Sequence, residues 1–321
     1  MHDNHLPGDM PLQQAAAHRL TPGTRAMIEA IQALGAQGGG CLYRLVDPDG
    51  SPGRGLGDSA RRDCGQIKHP FVAQKPEQRL YLQPVGLAGQ ALTDGLAAEL
   101  EAEVAQEIER TPDSHLDPVP FCAWVYSRAS LAHIVNHLYQ QRVIRSTGPK
   151  PALFRYQDPR VFERLLEILL PQQLNHLLGP IDAWWFLDHQ RQLQGVQMPP
   201  LSTPLPRTSL APHQWQAVKR IGQVNACLEG WRRLKRADKR HVTPAEMDEL
   251  LVKAEAHGLK DAKDQRLFVT HGLLTPGFYR HPAIQRLLPS GGETEPFTLA
   301  IRRISDPDWD SIKHDLEHRL T

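Results

Sequence analysis

Apolar residues at Met27, Ile28, Ile31 and Leu34 recur every three or four positions, which predicts a helix closed by the Gly38-Gly39-Gly40 run. Residues 1–20 mix His, Pro, Asp and Gln without periodicity and read as a mobile tail, so folding should begin near Thr21. Cys41-Leu42-Tyr43-Arg44-Leu45-Val46 reads as a strand bounded by the turn Asp47-Pro48-Asp49-Gly50, with loop from Ser51 to Gly65 and a further strand at Leu80-Tyr81-Leu82. From Leu87 to Arg110 the residues are good helix formers, and Leu96, Leu100, Val104 and Ile108 give a four-residue stripe. Its glutamates, Glu99, Glu101, Glu103, Glu107 and Glu109, read as a solvated face.

Phe121 to Tyr126 has strand composition, and Ser127 or Ser130 can cap a helix carrying Leu131, Ile134, Val135 and Leu138. Leu153-Phe154-Arg155-Tyr156 reads as the next strand. Asp158 as N-cap and Pro159 at the first position then open a helix with Phe162, Leu165, Leu166 and Leu169 inward. Pro171 interrupts it, and Gly179-Pro180 stops a further helical piece before a strand at Ala183 to Leu187. Strands alternating with helices over 21–194 predict an α/β lobe (α+β being the other form) with a small mixed or mainly parallel sheet.

Residues 195–212 hold Pro199, Pro200, Pro204, Pro206 and Pro212 and predict an extended connector, hence a domain boundary. Over 213–321 the pattern is helical. Trp215, Val218, Ile221, Val224, Leu228, Trp231 and Leu234 lie on one face, and Thr243-Pro244-Ala245-Glu246 is a capping box whose helix ends at Gly258. Shorter helices are expected at Ala262 to Thr270, Pro282 to Leu288 and Trp309 to Arg319.

Composition narrows the function classes. A chain of 321 residues that is 40% hydrophobic buries roughly three quarters of its extended surface, so folding needs no staple. Lys plus Arg number 37 against 36 Asp plus Glu, so no global field recruits nucleic acid or an anionic membrane. Cys41, Cys64, Cys122 and Cys227 form no Cys-x-x-Cys pair and read as free thiols. Without an apolar run near the ~20 residues of a membrane helix, a cytoplasmic location is expected.

Each catalytic motif fails on its surroundings. His314-Asp315-Leu316-Glu317-His318 matches the H-x-x-E-H of inverted zinc peptidases, but only three residues follow it, so no downstream carboxylate completes a zinc hydrolase site. Gly57-Asp58-Ser59-Ala60 is similar to an esterase nucleophile block but has no strand before it, and Gly53-Arg54-Gly55-Leu56-Gly57 lacks the P-loop ending. The expectation is a non-enzymatic chain without cofactor or metal. A nucleic-acid-binding reading rests on Arg232, Arg233, Lys235, Arg236, Lys239 and Arg240 beside Trp231, a run that equally suits a helix end or an acidic protein surface. Trp184 and Trp185 are adjacent, so on a strand they face opposite sides; burial is the leading reading for each, and availability of one to a partner is the other.

Four blocks carry a resemblance: Tyr43-Arg44-Leu45-Val46-Asp47, Ser130 to Leu138, Phe154-Arg155-Tyr156-Gln157-Asp158-Pro159-Arg160-Val161, and Leu178-Gly179-Pro180-Ile181. In this order they are similar to the signature blocks of the domain of unknown function 4123, the effector chaperone/adaptor family of bacterial type VI secretion. Asp264 to Leu288, with Phe268, Gly272, Phe278, His281, Pro282 and Ile284, looks like the family's C-terminal part, whereas Asp49 to Ile67 fits least. The resemblance implies a cytosolic adaptor that binds one toxic effector and helps load it onto the VgrG spike protein. The expected partner-binding residues are Trp184, Trp185, Tyr156, Arg160, Trp231, Arg232 and Arg236, and Arg155, Asp158, Pro159, Gly179 and Pro180 are expected to be architectural.

Overall fold

The structure, a computed structural model, describes residues 18–48, 64–75, 78–85, 93–110, 120–145, 151–199, 208–235, 240–289 and 295–318. The chain divides into two units, Met1–Arg110 with Pro120–Pro159 and Leu169–Ser209, and Thr111–Val119 with Arg160–Ile168 and Leu210–Thr321.

In the first unit the elements run β1 (His18–Leu20), α1 (Thr24–Ala36), β2 (Cys41–Val46), β3 (Gly65–Ile67), β4 (Leu80–Pro84), α2 (Asp94–Glu109), β5 (Phe121–Ser127) and α3 (Leu131–Gln141). There follow β6 (Val143–Arg145), β7 (Pro151–Leu153), α4 (Pro159–Ile168), α5 (Pro171–Leu178), β8 (Ala183–Leu187) and β9 (Leu193–Gln197), of which α4 groups with the second unit. Seven strands form one sheet in the order β1-β9-β8-β5-β2-β4-β3, and β6 pairs with β7 apart from it. A sheet with interspersed helices is thus present as expected, in the α+β form, since every described pairing is antiparallel. Helical crossovers survive in two places among the described residues. β4 and β5 flank β2, both antiparallel to it, so they run parallel to each other and α2 joins them past the strand between. β1 and β2, which alternation across β9, β8 and β5 also makes parallel, are joined by α1.

Both faces of the sheet are covered, and β5 and β8 are buried along their whole length. Register sorts the contacts. Arg44 pairs with Trp124 and Trp124 with Trp185, and this face meets α2, where Trp124 Nε1 donates to Glu103 Oε1 at 3.0 Å. Tyr43, Val125 and Trp184 share the opposite face, where Tyr156 lies 6.3 Å from Trp184 between ring centres.

Three short strands depart from the sequence reading. His18–Leu20, inside the span read as tail, pairs with β9; Gly65–Ile67, starting at the last residue read as loop, pairs with β4; and Gly195–Gln197, read as connector, belongs to β9. The edge strands β1 and β3, three residues each, are too short to show a period, and their partners alone define them. Gly195 is required in β9, because a Cβ there would come 2.6 Å from Trp185 Cδ1. Residues 154–156 turn instead of extending the strand β7, as Tyr156 is drawn inward. Residues 200–207 of the expected connector lie outside the described residues.

In the second unit α6 (Pro212–Arg233), α7 (Pro244–Ala256) and α8 (Ala262–Leu274) pack pairwise. A 3₁₀ turn (Phe278–Arg280), α9 (Pro282–Gln285), α10 (Phe297–Ala300), a second 3₁₀ turn (Ile301–Arg303) and α11 (Asp306–His318) complete it. The capping box forms as read: Thr243 Oγ1 accepts from Glu246 N at 3.3 Å and Glu246 Oε2 accepts from Thr243 N at 2.9 Å. The Thr243 N–H and then the Arg240 guanidinium hold the Glu246 carboxyl below its ordinary range. Gly258 ends α7 with φ 80°. Phe268 is the hub of the core, with Phe278, Tyr279, His257 and Phe297 at ring separations of 5.0, 5.5, 5.9 and 6.2 Å.

Phe268→Ala should therefore destabilise the chain by about 3–5 kcal/mol, whereas Thr243→Ala should cost about 1 kcal/mol. Guanidinium unfolding followed by circular dichroism measures both; similar midpoints for the two variants would remove Phe268 from the centre of the core.

Candidate functional site

The blocks singled out in the sequence meet in the first unit. Asp47 leaves β2 with its N–H donating to Pro120 O at 2.7 Å, and its buried carboxylate accepts from Arg155 Nη2 at 3.3 Å and Gln157 Nε2 at 3.2 Å. Tyr156, between those donors, is fully buried and donates to Leu138 O at 3.0 Å, which ties the turn to α3. Burial drives the Tyr156 hydroxyl far above its ordinary range, so it stays a proton donor. Phe154 N donates to Arg142 O at 2.8 Å, and Arg142 Nη1 donates to Lys68 O at 3.1 Å. Cys122 lies in the same region, its thiol pushed up by burial and then by the charges of Asp47 and Asp158, so it stays neutral. α4 begins at Pro159, directly after Asp158, where the sequence places its start.

The fourth block closes around α3. Gly179 ends α5 with φ 56°, and a Cβ there would collide with the His137 ring. That ring is hydrogen-bonded through Nε2 to Leu177 O at 3.0 Å, and burial lowers its pKa, so the imidazole is neutral. Ser127 Oγ donates to Pro180 O at 2.6 Å and accepts from Ala129 N at 3.0 Å. Asp182, buried, accepts from Arg128 N and Nε at 2.9 Å each and from Nη2 at 2.6 Å. Ser130 is the α3 cap, accepting from His133 N at 3.4 Å.

The α2 glutamates are not uniformly solvated. Glu107 is 1% exposed, with Arg44 and Arg110 on its carboxylate. Arg191, at φ 63°, reaches from the β8–β9 turn to donate to Glu107 O and Arg110 O, supplying a cation at the C-terminal end of α2. Burial lowers the Arg191 pKa. The signal was Arg44 within an apolar strand: its face meets α2, so α2 had to carry the countercharge.

The expected partner-binding residues fall differently from one another. Trp184 and Trp185 are both buried, because the sheet is covered on both faces, and Tyr156 is buried with them. Arg160 is half-buried. In the second unit Trp231 is largely buried, its Nε1 donating to Arg240 O at 3.3 Å. Arg232 is exposed and pairs with Glu229 at 3.2 Å; Arg233 pairs with the same carboxylate, and Arg240 pairs with Glu246 at 2.8 Å. Carboxylates thus already meet three cations of the basic run, while Arg236 and Lys239 lie outside the described residues. The His314 and His318 rings lie 3.9 Å apart between centres on α11, tilted by 39°, and Asp315 engages His281 Nε2 at 3.2 Å. No group of three or more His, Cys, Asp or Glu positioned for a metal ion occurs among the described residues. Both glycine-rich runs between Gly53 and Ala60 lie outside the described residues. No helix among the described residues is long and apolar enough to cross a membrane.

One concave feature of the second unit was not visible in the sequence. A cavity of about 550 Å³ opens between α6, α8, the second 3₁₀ turn and the start of α11. Its wall includes His271, stacked on Trp309 at 4.7 Å and 5° and lowered to about 4 by burial.

Two predictions follow from these placements. Gly179→Ala should destabilise by about 2 kcal/mol or more, from the positive φ and the His137 contact together, read as a lower denaturant midpoint. For His271, the folded pKa lies below the unfolded value of about 6.5, so between pH 6.5 and about 4 the unfolded chain binds more protons and stability falls as pH falls. His137 acts in the same direction. In a pH series of unfolding midpoints His271→Gln should flatten this slope, and an unchanged slope would count against the buried neutral imidazole.

No curated protein and no solved structure matches this chain at a significant level. A family model does match part of it. The blocks Ser130 to Leu138 and Phe154 to Val161 fall inside the match, and Tyr43 to Asp47, Leu178 to Ile181 and Asp264 to Leu288 fall outside. Residues 88–176, from the approach to α2 into α5, match the family described as Domain of unknown function (DUF4123).

Proposed function

We propose that the chain is a non-enzymatic holding protein, a cytoplasmic type VI secretion adaptor that binds one cognate effector and promotes its loading onto the VgrG spike. The observation that carries this reading is the match of residues 88–176 to the DUF4123 family, with the Phe154 to Val161 block inside it. The roles in effector binding and spike loading come from the resemblance to that family.

The geometry supports holding over chemistry in a specific way. The polar groups of the blocks are engaged in the fold: Asp47 with Arg155 and Gln157, Tyr156 with a backbone carbonyl, Asp182 with Arg128. Groups fixed in this way set the shape of a surface, and recognition by a surface needs fit rather than perturbed pKa values. Nucleic-acid binding is the weaker reading, since Arg232, Arg233 and Arg240 already face carboxylates.

Affinity capture of the full-length chain from its own cells, with mass spectrometry of what co-purifies, tests the proposal. A single effector in stoichiometric amount, with VgrG recovered in the same complex, is the expected result. Nucleic acid without a protein partner would overturn it, as would stoichiometric zinc retained through gel filtration.

A further inference from the structure

The cavity of the second unit has the make-up of a docking groove. Its floor is apolar, formed by Leu267, Ile301, Ile304 and Trp309 together with Ala226 and Gly230 of α6. Gly222, Ala226 and Gly230 are spaced by four, so they follow one side of α6. A Cβ added at Gly222 or Gly230 would meet nothing within 4 Å, which leaves that side open to close approach. A second helix packs nearest where side chains are smallest, since interaxial distance is set by the residues at the contact.

The rim decides what kind of helix. Lys263, Arg266 and Arg302 stand around the opening, against one carboxylate, Asp306. Lys263 and Arg302 are exposed, and Arg266 donates to the neutral Gln223 Oε1 at 3.4 Å. Among the described residues the ion pairs of this unit include none of these three cations. Elsewhere in the unit arginines sit against acids, as Arg220 does with Asp248 and Glu255. Three cations over an apolar floor complement carboxylates flanking an apolar stripe.

We propose that this groove docks an amphipathic helix of a partner protein, its small and apolar side chains set against Gly222, Ala226 and Gly230 and its glutamates or aspartates against Lys263, Arg266 and Arg302. The proposal rests on the reading that the chain holds another protein, and it names the surface and the chemistry of the segment held. The neutral His271 stacked on Trp309 keeps the inner wall uncharged, as an apolar helix face requires.

The test uses the full-length chain and a fluorescein-labelled helical peptide with alanine and leucine on one face flanked by glutamates, beside a twin with lysine at each glutamate. Fluorescence anisotropy should show the glutamate peptide binding at least about tenfold more tightly than its twin. Reversing the rim with Lys263→Glu and Arg302→Glu should invert that preference, and Gly230→Leu should abolish binding while the circular-dichroism melt stays cooperative. If Gly230→Leu unfolds the chain, the exposed rim pair decides alone, read also as the milder Lys263→Gln with Arg302→Gln. Equal binding of the two peptides, a preference untouched by the reversal, or self-association of the chain that Gly230→Leu removes would overturn the proposal. Effector capture that persists undiminished in the rim and Gly230 variants would overturn the groove while leaving the adaptor reading standing, and failure of all capture by the unmodified chain would remove that reading.

Discussion

A carboxylate taken out of water must be met by donors or give up its charge, and at Asp47 the donors come from Arg155 and Gln157, 108 and 110 residues further along the chain. This constraint holds the first unit in register. Asp47 marks the end of β2, so the turn carrying Arg155 and Gln157 can sit in only one place relative to the sheet. That placement puts the Tyr156 ring beside Trp184 and its hydroxyl on Leu138 O, which fixes α3 in turn. Removing Arg155 or Gln157 leaves the buried Asp47 carboxylate short of a donor, a larger loss than the hydrogen bond itself contributes.

A second buried carboxylate does the same on the opposite face. Glu107 of α2 is held by Arg44 and Arg110, while Arg191 donates to carbonyls at the end of that helix. The two clusters share a logic: a strand residue, Asp47 following β2 or Arg44 within it, meets its countercharge from another element packed on the sheet. The α+β arrangement makes this possible, because β2 is an interior strand of the sheet and helices lie over both faces. Hydrophobic burial drives the collapse of those layers, whereas the ion pairs choose among the registers that apolar residues alone would allow.

Local signals survived intact into the structure. β2 and β8 have the bounds their apolar runs suggest, α4 starts at Pro159, and the Thr243 to Glu246 box caps α7, because each depends on residues a few positions apart. Features set by distant partners were not legible: β1, β3 and β9 exist through pairing, and the burial of Glu107 depends on Arg44, 63 residues away. The adjacent pair Trp184-Trp185 shows the limit most clearly. Alternation correctly set them on opposite faces, but whether a face is covered is a property of the tertiary structure. Of the candidate site, the blocks could be read and their convergence could not.

The division of labour in this chain follows from what burial permits. Where the matched segment has buried polar groups, Tyr156, Gln157 and Glu107 among them, they are held by contacts within the fold, and side chains so constrained cannot be varied to suit a partner without damage to the frame. The proposed recognition is therefore assigned to a surface whose residues hold nothing else in place. The groove floored by Ala226, Gly230 and Trp309 lies outside residues 88–176, and its rim cations are free of ion pairs among the described residues. A frame of fixed charges is thus distinct from a surface of uncommitted ones, which is what the proposed docking groove requires, while the buried charges remain those the sheet demands.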